Sequence, residues 1–263
     1  MSISSRPSRI VLLVGRLVLL FGVLAICELL VRGGIVSSLY LPAPTDVLVQ
    51  AWQLLGGGSG FYMNLGVTLR EFVIGYLVAV VAGIALGLLL GLVPLAEAFF
   101  RPFLAALMAV PKVTVIPLLT LWLGLGLGHK IVIVFLFCFF PIVYNTIAGV
   151  QQTSEDHLKV ARSLRASRVQ LIGKVILPSA IPTILAALRT EAAAAIVGAI
   201  FGEMVASKAG LGNGLNEATT LYDTPKAFAF IILITLVSVL SVTVIDQLER
   251  RVLLKWRPRR SLR

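Results

Sequence analysis

Residues 67–93 read VTLREFVIGYLVAVVAGIALGLLLGLV, and from Phe72 to Val93 the run carries no charge. A helical bilayer crossing needs roughly 20 predominantly apolar residues, which this stretch supplies. The same criterion selects five further segments: 10–31, 99–122, 131–150, 180–201 and 228–246. About six spans define an all-α integral membrane fold, read as a single transmembrane domain over 1–263. The first span lies at 10–31 and the core spans within 67–248. The third segment contains Pro102, Pro111 and Pro117. Pro111 and Pro117 free backbone carbonyls, which a span tolerates only against protein or a water-filled path.

Composition supports this reading. The chain has 263 residues, is 58% hydrophobic and only 13% charged, and has a mean hydropathy of +0.99. A soluble domain is about a quarter charged, so the surplus apolar surface needs lipid as its solvent. The net charge is +11, from 23 Lys and Arg against 12 Asp and Glu. A nucleic-acid arm would also be basic, but here the cations sit between and beyond the apolar runs. That placement fits lipid headgroups and the positive-inside bias, and no nucleic-acid partner is expected.

With a cytoplasmic N-terminus, the inner segments hold fifteen Lys and Arg, including Arg6, Arg9, Arg101 and the tail from Arg250 to Arg263. The outer segments hold five: Arg32, Lys130, Lys208, Lys226 and Arg70 at a helix start. Both termini are therefore expected in the cytoplasm. Arg6 and Arg9 before an apolar run resemble a signal peptide, but the run is long and has no small-residue cleavage pattern, so it is expected to stay as a span. Between the first two spans, Leu41-Pro42-Ala43-Pro44-Thr45-Asp46 reads as a rigid turn. Thr45 or Asp46 is the expected N-cap of a short helix through Trp52. The connector Gly56-Gly57-Gly58-Ser59-Gly60 follows.

The inner loop 151–178 is more than polar. Ser154 is expected to cap a helix whose first turn carries Glu155 and Asp156, matched to the positive helix end. Leu158, Ala161 and Leu164 recur at spacing three and form one apolar edge. After Arg165-Ala166, Ser167-Arg168-Val169-Gln170 is a capping-box pattern that opens a second helix, with Val169, Ile172, Val175 and Ile176 on one side. Two short amphipathic helices held between spans either lie on headgroups or dock a cytoplasmic partner.

Here the chain carries a resemblance. Lys159-Val160-Ala161-Arg162-Ser163-Leu164-Arg165-Ala166-Ser167, followed by Val175-Ile176-Leu177-Pro178, resembles the "EAA" coupling loop of binding-protein-dependent ABC importer permeases, whose fold is MetI-like. Leu41-Pro42-Ala43-Pro44, Val110-Pro111-Lys112, Ile116-Pro117-Leu118, Leu121-Trp122-Leu123-Gly124, Phe140-Pro141-Ile142, Gly202-Glu203 and Gly210-Leu211-Gly212 are similar to its nitrate/sulfonate/taurine branch. The resemblance implies a permease in the bacterial inner membrane that forms the path for a small solute of the nitrate, sulfonate, taurine or bicarbonate type. Pyrimidine precursors or riboflavin are the alternative solutes. It implies a permease homodimer, two ATP-binding cassette ATPase subunits that carry ATP and Mg, and a periplasmic or lipid-anchored solute-binding protein. Glu155, Asp156, Leu158, Lys159, Ala161, Arg162, Leu164 and Arg165 would couple it to the ATPase. Lys159 stands where the family has Glu, and Arg165 where it has Gly. That Gly usually occupies a left-handed turn, so either this turn is built differently or Arg165 bears the strain.

The chain has no G-x-x-x-x-G-K-[ST] segment, so it is not expected to be an enzyme or to bind a cofactor itself. His129 and His157 lack the partners of a metal or catalytic cluster, and Cys27 and Cys138 read as small buried hydrophobes. A stand-alone secondary transporter or channel is the competing class, and the coupling-type loop argues against it.

Charges at membrane depth are functional candidates by default. Lys112 either attracts an anionic solute, snorkels, or pairs with a carboxylate. Glu191 either lines the pathway or pairs with Lys112. It cannot face Arg189 two residues away, so each needs another partner. Glu203, Thr114 and Asn145 are further pathway candidates; the family resemblance implies a gate or helix-packing role for Glu203, and interhelical hydrogen bonding is the alternative for Thr114 and Asn145. Ala192 to Ala195, with Gly198 and Gly202 four apart, favours close packing within the subunit or across a dimer.

Overall fold

The computed structural model describes residues 9–56 and 60–256. Arg6, residues 57–59 of the glycine connector, and Arg257, Arg259, Arg260 and Arg263 of the tail lie outside them. Among the described residues there are α-helices and one π-helical turn but no strand. They gather in two compact units, one running up to Tyr62 and taking in Gly214–Leu233, the other holding Met63–Asn213 and the chain from Ile234 onward.

In the first unit, α1 (Arg9–Arg32) is apolar all round, with its large side chains exposed along the length. Such a surface is stable only in lipid or against another helix. Cys27 within it is half-buried. The helix α2 (Pro44–Leu55) starts slightly earlier than its sequence signals suggest. Ala43 is the N-cap residue and Pro44 the first helical one, where a missing N–H costs nothing. Thr45 and Asp46 are not caps and bond to α1 instead. Thr45 donates to Glu28 at 2.7 Å, and Arg32 bridges Glu28 at 3.0 Å and Asp46 at 2.8 Å. The end of α1 is thereby tied to the start of α2.

The second unit is built round α6. Its helices are α3 (Phe61–Leu92), α4 (Pro94–Ala109), α5 (Lys112–Leu123), α6 (Leu127–Gln151), α7 (Glu155–Ser163), α8 (Arg168–Leu171) and α9 (Leu177–Ala206). The chain continues through α10 (Leu211–Thr220) and α11 (Thr224–Trp256). Among the described residues, five helices, or runs of consecutive helices, are long and apolar enough to cross a membrane, six if α4 and α5 are one bent span.

The seam between α3 and α6 explains the glycines of the opening stretch. Gly75, Ala79, Gly83, Gly87 and Gly91 fall at spacing four, one face of a helix. A Cβ at Gly75 would lie 2.6 Å from Val134, at Gly83 2.8 Å from Ile142, at Gly87 2.5 Å from Thr146, and at Gly91 2.9 Å from Val150. The α3 backbone lies directly on these short β-branched side chains, with α6 carbonyls close behind them at the first three. In lipid, where apolar burial drives little, such contact is what holds helices together. On its other side α6 meets α9: Gly198 faces Phe137 and Gly202 faces Ile133. The small-residue stripe of α9 is thus occupied within the chain, and Ala192, Ala195 and Ala199 join Val134, Cys138 and Ile142 in the core.

The third segment is not one straight span. It breaks at Val110-Pro111, and α4 and α5 meet at 89°. Pro111 has no N–H to give, and the residue before a proline is pushed out of the helical region. Val110 accordingly sits at φ −61°, ψ 127°. The second amphipathic helix of the inner loop also differs from expectation. Only four residues of α8 precede a π-helical turn, Ile172–Ile176, which runs directly into α9 as a single 39-residue helical stretch, Arg168–Ala206. The capping box that opens it is formed, with the Ser167 hydroxyl accepting from the Gln170 N–H and the Gln170 side chain accepting from the Ser167 N–H.

Candidate functional site

Three places in the second unit concentrate polar chemistry: the start of α6, the break between α4 and α5, and the α7–α8 hairpin beyond the end of α6. Because α6 has 25 residues, its two ends lie about 37 Å apart.

At the start of α6, Lys130 and Glu71 form an ion pair at 2.6 Å, with side chains only 8% and 2% exposed. One helical turn earlier on α3, Thr68 donates to Glu203 of α9 at 2.7 Å and accepts the Leu211 N–H at 2.9 Å. The second Glu203 oxygen accepts the Gly212 N–H at 2.7 Å, and the Asn64 side chain accepts the Gly210 N–H at 2.9 Å. Gly210 has φ +109°, and a Cβ there would fall on the Glu203 carboxylate. The chain after α9 is therefore folded back and held by one carboxylate, one hydroxyl and one side-chain amide. Glu203 acts here as a packing clasp. Asn64, Thr68, Glu71 and Lys130 are not singled out by the sequence as site residues. Lys130 follows a glycine-rich stretch and looks like a loop cation, and Arg70 looks like a helix start although α3 begins nine residues before it. The signal is present in Glu71: a carboxylate beside a long apolar run requires a buried partner.

At the break, Lys112 is the first residue of α5, half-buried, with its Nζ 5.8 Å from the centre of the Phe137 ring. Among the described residues it forms no ion pair with Glu191, which is buried on α9. Glu191 instead lends its backbone carbonyl to the Cys138 thiol, 3.3 Å away. Thr114 and Asn145 do not bridge helices. The Thr114 hydroxyl donates to the Pro111 carbonyl at 2.7 Å, and Asn145 to the Pro141 carbonyl at 2.9 Å. Short polar side chains on a helix reach the carbonyl one turn back before any neighbour, which satisfies them locally. Arg189 finds its partners on α11, at 2.6 Å from Asp246 and 3.0 Å from Glu249.

The hairpin is charged and little buried. Ser154 stands at the N-cap position of α7, but its side chain makes no capping bond. Glu155, Asp156, Lys159 and Arg162 are exposed, and Lys159 lies 3.8 Å from Glu155 and 3.7 Å from Asp156 on its own helix. Leu158 and Ala161 are half-buried, whereas Leu164 is 78% exposed. The turn resolves the alternative posed by Arg165. It is a left-handed cap: Arg165 has φ 56°, its N–H reaches the Arg162 carbonyl at 2.9 Å, and the Ala166 N–H reaches the Ala161 carbonyl at 3.0 Å. This is the bonding of a Schellman cap with arginine in the position that glycine fills most easily. A cavity of about 480 Å³ opens beside it, lined by His157, Val160, Ala161, Leu164, Lys174 and Val175 among others.

Apolar spans around a glycine seam, one span broken at a charged residue, and a charged hairpin clear of the bundle define a multi-pass membrane transport protein. Residues 52–254 match the family described as binding-protein-dependent transport system inner membrane components. The chain belongs to that family, as the membrane-spanning permease subunit of an ABC importer. It is 33% identical over 235 residues to the putative aliphatic sulfonates transport permease SsuC of Bacillus subtilis, covering 89% of this chain and 84% of that protein. It is 35% identical over 216 residues to the riboflavin transport permease RibX of Chloroflexus aurantiacus, covering 82% and 80%. In fold it is similar to the methionine ABC transporter MetNI in inward-facing conformations, with a TM-score of 0.58 and 19% identity, covering 75% of this chain and 96% of that one. The secondary-transporter reading is not favoured by these likenesses.

Proposed function

We propose that the chain, working as one permease domain, pairs with a second copy and forms the path for a small oxyanionic solute of the sulfonate type. ATP and Mg are held by separate ATPase subunits that dock on α7 and α8, and a solute-binding protein delivers the solute at the opposite end of α6. Both termini then lie in the cytoplasm of a bacterial cell, with the chain in its inner membrane. Coupling falls to Glu155, Asp156, Leu158, Lys159, Ala161, Arg162, Leu164 and Arg165. Lys112, Thr114, Asn145, Glu191 and Glu203 belong to or support the translocation path.

The observation that carries this reading is the exposed apolar edge of an otherwise charged hairpin. Val160 is 59% exposed and Leu164 78%, beside an open cavity of about 480 Å³. A hairpin that met only water would have no use for that edge. The sulfonate assignment draws on the SsuC likeness and on a cation, Lys112, at the start of the broken half-span, where helix dipole and side chain both favour an anion.

Co-purification of the permease with its ATPase tests the docking. Leu164→Asp should abolish it while leaving the thermal unfolding of the permease unchanged. Full retention of the ATPase on that variant overturns the docking site. A screen of sulfonates, nitrate, riboflavin and formylaminopyrimidine on the cognate binding protein tests the solute, and preference for either of the last two overturns the sulfonate assignment.

A further inference from the structure

A second polar place lies at the start of α6, next to the Glu203 clasp and distinct from the bent span. It is an open cavity of about 380 Å³, lined by Arg70, Glu71, Gly126, Lys130, Ser207 and Lys208 among others. Three cations and one carboxylate face it. Glu71 is already committed to Lys130 at 2.6 Å. Arg70 and Lys208 are exposed, and among the described residues neither forms an ion pair. Two like charges are thus brought to one concavity with no counter-charge of their own. The wall beside them is the first turn of α6, whose N-cap is Gly126 and which has no side-chain cap bond from that residue. Its dipole adds to the same sign.

We propose that this cavity is a binding site for a singly headed oxyanion, a sulfonate, sulfate or phosphate group, held by Arg70 and Lys208. Lys130 stays with Glu71 and fixes the floor. Uncompensated cations in a concave setting raise the local anion concentration, and arginine offers the planar fork that oxyanions accept. The volume is ample for a small solute or a lipid headgroup. The site stands apart from the question of which solute is transported, since its chemistry is that of the oxyanion alone. Two sources could supply that group: a free solute at the mouth of the permease, or the phosphate of a surrounding lipid.

The experiment uses the full-length permease purified in a neutral maltoside detergent and stripped of lipid. Methanesulfonate is titrated by calorimetry in one arm, and short-chain phosphatidylglycerol below its micelle concentration in the other. Saturable binding of either, weakened at least tenfold in the Arg70→Gln/Lys208→Gln double variant, is the expected result. Arg101→Gln, which removes an exposed cation of α4, should leave it unchanged. Binding in the first arm only identifies a free solute, and binding in the second only identifies lipid phosphate. No saturable binding in either arm overturns the site. So does equal binding by the double variant, provided its thermal unfolding matches the parent.

Discussion

Replacing Lys130 by methionine removes one half of an ion pair and leaves the other half in place. Glu71 has a side chain 2% exposed, no hydrogen-bond partner for its Oε2, and only Lys130 on its Oε1. Stripping one member from such a buried pair typically costs about 3–5 kcal/mol, because a charge is stranded in a medium that solvates it poorly. Two features place this site at the lower end. The neighbouring cavity is open and admits water, and Glu71 can take up a proton in place of its lost partner. A loss of about 3 kcal/mol is therefore expected for Lys130→Met. The double variant Glu71→Leu/Lys130→Met leaves neither member of the pair alone, and the buried Glu203 beside it keeps Thr68 and the Gly212 N–H; it should fall within about 1 kcal/mol of the parent, since an apolar pair of similar volume often replaces a buried ion pair without loss. Reversible unfolding in detergent, followed by circular dichroism for parent, both single variants and the double, gives the coupling energy directly. A loss below about 1 kcal/mol for Lys130→Met, or a double variant as unstable as the two singles added, refutes the view that the buried Glu71 charge depends on Lys130.

Two further outcomes follow from the backbone. Arg165→Gly relieves a left-handed cost of about 1–2 kcal/mol, offset by about 0.4–1 kcal/mol of added freedom in the unfolded chain, so the hairpin gains of the order of 0.5–1 kcal/mol. Hydrogen exchange should show slower opening of the α7–α8 amides, and faster exchange there would count against the strain. Gly87→Val, which forces side-chain atoms onto Thr146, should cost about 2–3 kcal/mol, whereas Gly66→Ala, with nothing within 4 Å, should gain about 0.5–1 kcal/mol. Equal effects at the two positions in an unfolding series would contradict the touching seam.

What is legible in the sequence follows from where each signal resides. Long apolar runs need lipid whatever surrounds them, so the spans are visible, and a capping box is local, so Ser167 and Gln170 meet as expected. The break at Pro111 is foreshadowed by the prolines, but its angle depends on what α4 and α5 pack against, which no local pattern encodes. Thr45 and Asp46 look like caps in isolation and become partners of Glu28 and Arg32 only because α1 ends beside them. The pairing of Glu71 with Lys130 joins residues 59 apart, and that of Thr68 with Glu203 joins residues 135 apart. Distances of that kind are set by helix packing, and a single sequence shows only that each residue needs someone. Arg189 illustrates the same limit: its need for a partner is plain, while Asp246 and Glu249 become its partners only through the packing of α9 on α11.

The glycine seam has a mechanical side. Where the α3 glycines lie directly on the short β-branched side chains of Val134, Ile142, Thr146 and Val150, no long flexible side chain separates the helices to absorb a displacement. α3 and α6 are therefore expected to move as one beam, with the hairpin at one end and the Lys130 cluster at the other. A rotation of about 10° imposed at the hairpin sweeps the far end of a beam about 37 Å long through roughly 6 Å, comparable to one turn of helix. The seam thus acts as a lever arm whose stiffness comes from missing side chains.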